Sequence, residues 1–217
     1  MINAIRNAIC LLFVLFLVGC TPVPTVQTHD PQPSQTSMSE VVSLSEQDLQ
    51  HYEQVFSFSL EPFNWYRQSL VATYDCPENL DLAVFFGNGI GTQMLTNNET
   101  KFIEQAKIDP GFDIARISVA EASTVLEQCF CITWDETNGI GLDRLLHNEQ
   151  ENCYYVAANG PNILEMLDIH SGTKTADGTV CLIYTQGGLN QEWRVTFVEQ
   201  DSSSGVFYRF LSNVPHP

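Results

Sequence analysis

Positive charge is what this chain has least of: 9 lysines and arginines stand against 26 aspartates and glutamates, a formal charge of −17 over 217 residues. That balance excludes a phosphate-backbone partner, which lysine and arginine would have to neutralise, so no nucleic acid is expected. It also makes the protein surface repel anionic lipid headgroups. No apolar run reaches the roughly 20 residues that a membrane-spanning helix needs. His-Glu-x-x-His, an aspartate-rich calcium loop and a second cysteine pair at zinc spacing are all missing, as is Gly-x-Ser-x-Gly. No ready-made metal centre or nucleophile follows from the sequence, and no cofactor is expected.

The N-terminus carries the clearest signal. One positive charge, Arg6, precedes the apolar run from Ala8 to Val18, and Leu17-Val18-Gly19-Cys20 closes it with small residues and a cysteine. A basic start, a short apolar core and a small-residue cut are the parts of an export signal. The last four residues resemble the lipobox of bacterial lipoproteins, which implies diacylglyceryl transfer to the Cys20 thiol and cleavage after Gly19. Thr21 in place of an aspartate implies, by the same resemblance, sorting to the outer membrane where the cell has two membranes, and an outward-facing anchor where it has one. Loss of Arg6 takes the formal charge from −17 to −18. Each buried acyl methylene adds about 0.8 kcal/mol of attachment, so the lipid on Cys20, not the acidic protein face, is the expected membrane partner.

Residues 1–19 are thus read as a signal peptide, residues 20–44 as a lipidated cysteine with a flexible tether, and residues 45–217 as one globular domain. The tether reading rests on Pro, Thr, Ser and Gln from Thr21 to Ser43, which bury too little to offset their ordering entropy. Cys76, Cys129, Cys131, Cys153 and Cys181 remain for the domain. Five is odd, so at most two disulfides can form and at least one thiol is left over.

The first half of the domain reads helical. Ser45 with Asp48, Asp75 with Glu78, Thr96 with Glu99 and Ser118 with Glu121 each have the capping-box spacing ahead of an apolar set at helical period. With the set Phe63, Tyr66 and Leu70 they give five short helices before Thr133. The second half changes to strand-rich runs at Cys153 to Ala157, Ile163 to His170, Thr179 to Thr185, Glu192 to Glu199 and Val206 to Leu211. Turn residues at Asn159-Gly160-Pro161, Ser171-Gly172 through Gly178, Gly187-Gly188 and Asp201 through Gly205 separate them. The expected fold class is α+β, with N-terminal short helices packed on a C-terminal antiparallel β-meander. Trp193, Val195 and Phe197 fall on the core face of one strand.

Asn-Gly-Ile-Gly occurs twice, at Asn88 to Gly91 and Asn138 to Gly141, and reads as good turn chemistry used twice. Asp168 with His170, and Asp143 with His147, could each be half of a metal site, but neither has a third ligand at spacing. Asp135 with Glu136 offers a carboxylate pair for a hydrolase, of a kind that an acidic chain produces without purpose. Two of the few cations, Arg194 and Arg209, lie on consecutive strands. If Glu199 pairs with Val206, Thr196 faces Arg209 and Arg194 faces Leu211, which makes the two arginines diagonal neighbours able to hold one carboxylate or sulfate.

Asn79-Leu80-Asp81-Leu82, Phe85-Phe86-Gly87-Asn88-Gly89, Gly141-Leu142-Asp143, Tyr154-Tyr155 and Tyr208-Arg209-Phe210-Leu211-Ser212-Asn213 follow one another in an order that resembles uncharacterised lipoproteins of gut anaerobic bacteria. That group often carries a His and an Asp-Thr-Asn after the Tyr-Tyr pair; here only Asn162 corresponds. The resemblance implies location and fold, and no activity. The leading expectation is a membrane-anchored, extracytoplasmic, non-enzymatic module binding a peptide, glycan or protein. A hydrolase acting on cell-wall or dietary polymers and a passive envelope assembly protein are the alternatives.

Overall fold

A computed structural model describes residues 40–57, 64–87, 95–106, 114–157, 167–187, 190–203 and 205–217, and the structural statements below concern these. Cys20, nearly all of the segment read as tether, Phe63, Asn88 to Gly91, Asn162 and the start of the run at Ile163 lie outside them.

The domain is α+β. Strand β1 (Val41–Ser43) leads into α1 (Glu46–Val55), followed by α2 (Trp65–Gln68), α3 (Leu82–Gly87) and α4 (Asn97–Gln105). Strand β2 (Ile114–Ser118) precedes α5 (Val119–Phe130). Strands β3 (Leu146–Asn148), β4 (Cys153–Ala157), β5 (Leu167–Thr175), β6 (Thr179–Gln186), β7 (Glu192–Ser202) and β8 (Gly205–Pro215) complete it. Strands β5 to β8 form four of the five runs of the expected meander, the Cys153–Ala157 run (β4) lying in another sheet, and β1, from within the residues read as tether, adds to the edge in the order β1-β5-β6-β7-β8. A second sheet, β2-β4-β3, is also antiparallel.

Helix starts follow the local chemistry. Ser45, Thr96 and Ser118 close reciprocal capping boxes with Asp48, Glu99 and Glu121. Asp75 and Glu78 do not: the chain there makes a single 3-10 turn, Pro77–Asn79, and Asp75 accepts from Asn79 Nδ2 at 2.7 Å. The residue before a proline is pushed out of the helical region, and Cys76 is extended at φ −147° and ψ 158°. Helix α3 starts later, where Asp81 Oδ1 accepts from Val84 N at 3.0 Å.

The meander buries one face. Leu182, Tyr184, Val195, Phe197, Tyr208 and Phe210 meet Tyr52 of α1, Phe56 at its C-cap, and Leu126, Cys129 and Phe130 of α5, with Trp193 partly buried at the margin. Phe197 is fully buried, and its ring meets those of Tyr52, Phe56, Tyr208 and Phe210. Inside this core Tyr184 donates to Asn213 Oδ1 at 2.9 Å, and Asn213 Nδ2 donates to the carbonyls of Leu70 and Ala72, so the chain after α2 is fastened to the sheet by satisfied polar groups. A smaller core joins α4 to the second sheet through Ile103, Ile114, Cys153 and Tyr155.

Two turns differ from the sequence expectation. Ser171 and Gly172 are not a turn: β5 runs through them with a bulge between Ile169 and Ser171, and the turn comes at Ala176–Gly178. Gly172 is needed for packing, since a Cβ there would lie 2.6 Å from both Leu44 and Leu182. In the β7–β8 hairpin, Asp201 rather than Glu199 pairs with Val206, and a bulge falls between Thr196 and Phe197.

Candidate functional site

Two grooves carry concentrated polar chemistry. The first, about 610 Å³, lies between α1, β1 and the β5–β6 turn. Its helix wall is set by the Ser45 box, in which Asp48 Oδ2 accepts from both Ser45 N and Ser45 Oγ, at 2.9 and 2.6 Å. Those bonds hold the Asp48 pKa below the ordinary carboxylate value. One turn on, His51 and Tyr52 come round to the same wall. At the floor, Glu199 of β7 accepts from the Tyr52 hydroxyl at 2.6 Å and pairs with Lys174 of β5. Burial, then the Glu199 carboxylate, push the Tyr52 phenol well above its usual pKa. The Tyr208 hydroxyl, raised mainly by burial, lies 3.4 Å from His51 Nε2. The arrangement presents fixed carboxylate acceptors beside one imidazole.

The second groove, about 490 Å³, runs between α4 and the β3–β4 hairpin and includes Asn98, Phe102, Gln105, His147, Asn148 and Gln150. Beneath it Glu99 joins helix to sheet. Its Oε2 accepts from Thr96 N and Oγ1 at 2.7 and 2.8 Å, while Oε1 accepts from the Tyr155 hydroxyl at 2.9 Å and lies 2.7 Å from Arg116 Nε. The Cys153 thiol donates in turn to Tyr155 Oη at 3.3 Å. Burial would raise the Glu99 pKa; the Thr96 bonds, Tyr155 and Arg116 outweigh it, and the net shift is downward. Tyr155 is raised, by burial and then by its bonds to Cys153 and Glu99.

The residues singled out in the sequence are mostly not brought together. Arg194 pairs with Val214 and Arg209 with Val198, so the two arginines share the face away from the core but stand four positions apart, roughly 13 Å along the strands. The diagonal juxtaposition expected from the sequence is therefore not formed. The physical reason is that the strands continue through Gln200, Asp201 and Ser202 to a tight turn, which shifts the register, and the bulge shifts it further. Asp168 and His170 do approach, Nδ1 to Oδ1 3.8 Å, on an exposed edge. His147 instead stacks on Tyr154, ring centres 4.4 Å apart, and Asp143 sits in the 3-10 turn Leu142–Arg144. Glu136 of the Asp135 and Glu136 pair is used in a capping box with Thr133. Among the described residues no three His, Cys, Asp or Glu side chains are grouped to hold a metal ion.

Of the Asn-Gly-Ile-Gly repeats, Asn138 to Gly141 is described and forms a structural clasp. Leu82 N donates to Ile140 O at 2.9 Å, and Arg144 pairs with Asp81. Gly141, at φ +87°, leaves no room for a side chain, since a Cβ would lie 2.5 Å from Asp81 Oδ1. Sequence reasoning missed the Glu199–Tyr52–Lys174 and Glu99–Arg116–Tyr155 clusters. Glu99 was visible only as a cap, because its other partners are remote along the chain. Compared with known protein families, curated proteins and solved structures, the chain matches none.

Proposed function

We propose that this chain is a lipid-anchored, extracytoplasmic binding module, held on a membrane through Cys20 and taking a ligand in the cleft beside α1. The anchor rests on Arg6, the apolar run from Ala8 to Val18 and Leu17-Val18-Gly19-Cys20, together with the resemblance to lipoproteins. Among the described residues no helix is long and apolar enough to cross a membrane.

The observation that carries the binding half is the cleft itself. Both Glu199 oxygens are already engaged, one by Tyr52 and one by Lys174, which suits a fixed acceptor better than a proton-transferring base. Cleft and anchor are also close in the chain: β1, which forms one wall, starts 21 residues after Cys20, a span of at most roughly 75 Å even fully extended.

Two measurements test the reading. Cys20→Ala abolishes acyl labelling and moves the protein from the membrane to the soluble fraction; retention on the membrane overturns the anchor. On a peptide and glycan array, Asp48→Asn with His51→Ala weakens the interaction that the wild type shows, after both proteins are confirmed folded. Identical profiles overturn the cleft.

A further inference from the structure

The groove between α4 and the β3–β4 hairpin has a different chemistry from the α1 cleft. Four of its eight lining residues, Asn98, Gln105, Asn148 and Gln150, carry carboxamides. Its charges are one cation and one anion, Lys101 and Glu149, so it is close to neutral on a strongly acidic molecule. A carboxamide both donates and accepts hydrogen bonds without carrying charge. That double capacity matches neighbouring hydroxyl groups, each of which is donor and acceptor at once.

Two planar rings complete the lining. His147 is held by stacking on Tyr154 at 4.4 Å and 18°, and Phe102 packs against Tyr155 with ring centres 5.9 Å apart. Rings fixed beforehand lose little freedom when a ligand lies on them. The hairpin side is also set in advance: Asn148 Oδ1 accepts from Gln150 N and Glu151 N at 3.1 and 3.3 Å, which fixes its carboxamide. Across the groove, α4 cannot drift, because Glu99 bonds it to Arg116 and Tyr155 of the sheet. The groove therefore has rigid walls, apolar ring surfaces and uncharged double-function polar groups.

We infer that this groove is a binding site for a neutral carbohydrate chain, with ring faces of the sugars on Phe102 and His147 and hydroxyl groups on the carboxamides of Gln105, Asn148 and Gln150. It is separate from the α1 cleft and holds whether or not Cys20 carries lipid.

The test uses the purified full chain and calorimetry against neutral oligosaccharides of glucose, galactose, mannose, xylose and N-acetylglucosamine, with polygalacturonate and an extended acidic peptide as charged controls. The wild type binds at least one neutral oligosaccharide, and raising the salt concentration leaves that affinity unchanged. Gln105→Ala with Gln150→Ala, both exposed positions, lowers it roughly tenfold, as expected for two lost hydrogen bonds. His147→Ala lowers it as well, while Glu127→Gln, exposed on α5 and outside both grooves, leaves it unaltered. Absence of binding to every neutral sugar, binding only to the charged controls, or equal affinity in the double variant each overturns the inference.

Discussion

Glu99 shows how one side chain can take a local and a remote role together. Its Oε2 closes the first turn of α4 and its Oε1 ties that helix to β2 and β4. The side chain is only 8 % exposed and its partner Arg116 24 %, so removing the carboxylate leaves a partly buried guanidinium and phenol unmatched. Glu99→Ala is expected to cost about 3 kcal/mol, the lower end of the range for breaking a buried pair, read as a shift of the denaturation midpoint without loss of the wild-type slope. A cost below about 0.5 kcal/mol would show that the pair is solvated in solution. Only half of this was legible: Thr96 and Glu99 are three residues apart and announce the box, while Arg116 and Tyr155 stand 17 and 56 positions further on. No periodic or local pattern links them. Gly141 is a similar case, readable as turn chemistry but not as the residue that admits Asp81 and Arg144 beside it.

At the scale of elements, signals contained within one turn of chain proved legible and those that depend on a distant strand did not. The boxes at Ser45, Thr96 and Ser118 stand where the spacing put them, because a cap involves only four consecutive residues. Strands β1, β2 and β3 went unseen; each is three to five residues long and is defined by its partner. The boxes also have a pH dependence with a definite sign. The Ser118 hydroxyl, then its backbone N–H, hold the Glu121 pKa below the unfolded value. Its contribution is therefore complete above the unfolded value, near 4.3, and is lost as the pH falls through the lower folded value. Ser118→Ala should cost about 1 kcal/mol at neutral pH, and thermal melts repeated near pH 3 should show a smaller gap between variant and wild type. A gap that widens in acid would mean that Glu121 does not take part in the cap.

For the whole molecule, thiols report how the domain opens. Cys76, Cys129, Cys131, Cys153 and Cys181 are all free, and they span the range from exposed to fully buried. Cys131 is exposed at the left-handed C-cap of α5, whereas burial pushes the Cys129 thiol up to about 12. Reaction with a thiol reagent in native buffer should label Cys131 within the dead time of hand mixing and leave Cys129 and Cys153 until the domain unfolds. Denatured, unreduced protein should yield all five. Early labelling of Cys129 together with Cys131 would show that α5 leaves the sheet without global unfolding.

The two edges of the five-stranded sheet are unequal. At one edge β1 is held by three residue pairs to β5, and at the other β8 is an eleven-residue strand paired along β7. Tension entering the domain at residue 40 falls first on those three pairs and on the bond from Leu44 N to Gly172 O. They yield before the long hairpin does, and when they part, Val42 and Ser43 leave the wall of the α1 cleft. Mechanical load on the N-terminal side would thus dismantle the cleft first, whereas the groove beside α4 includes none of these pairs.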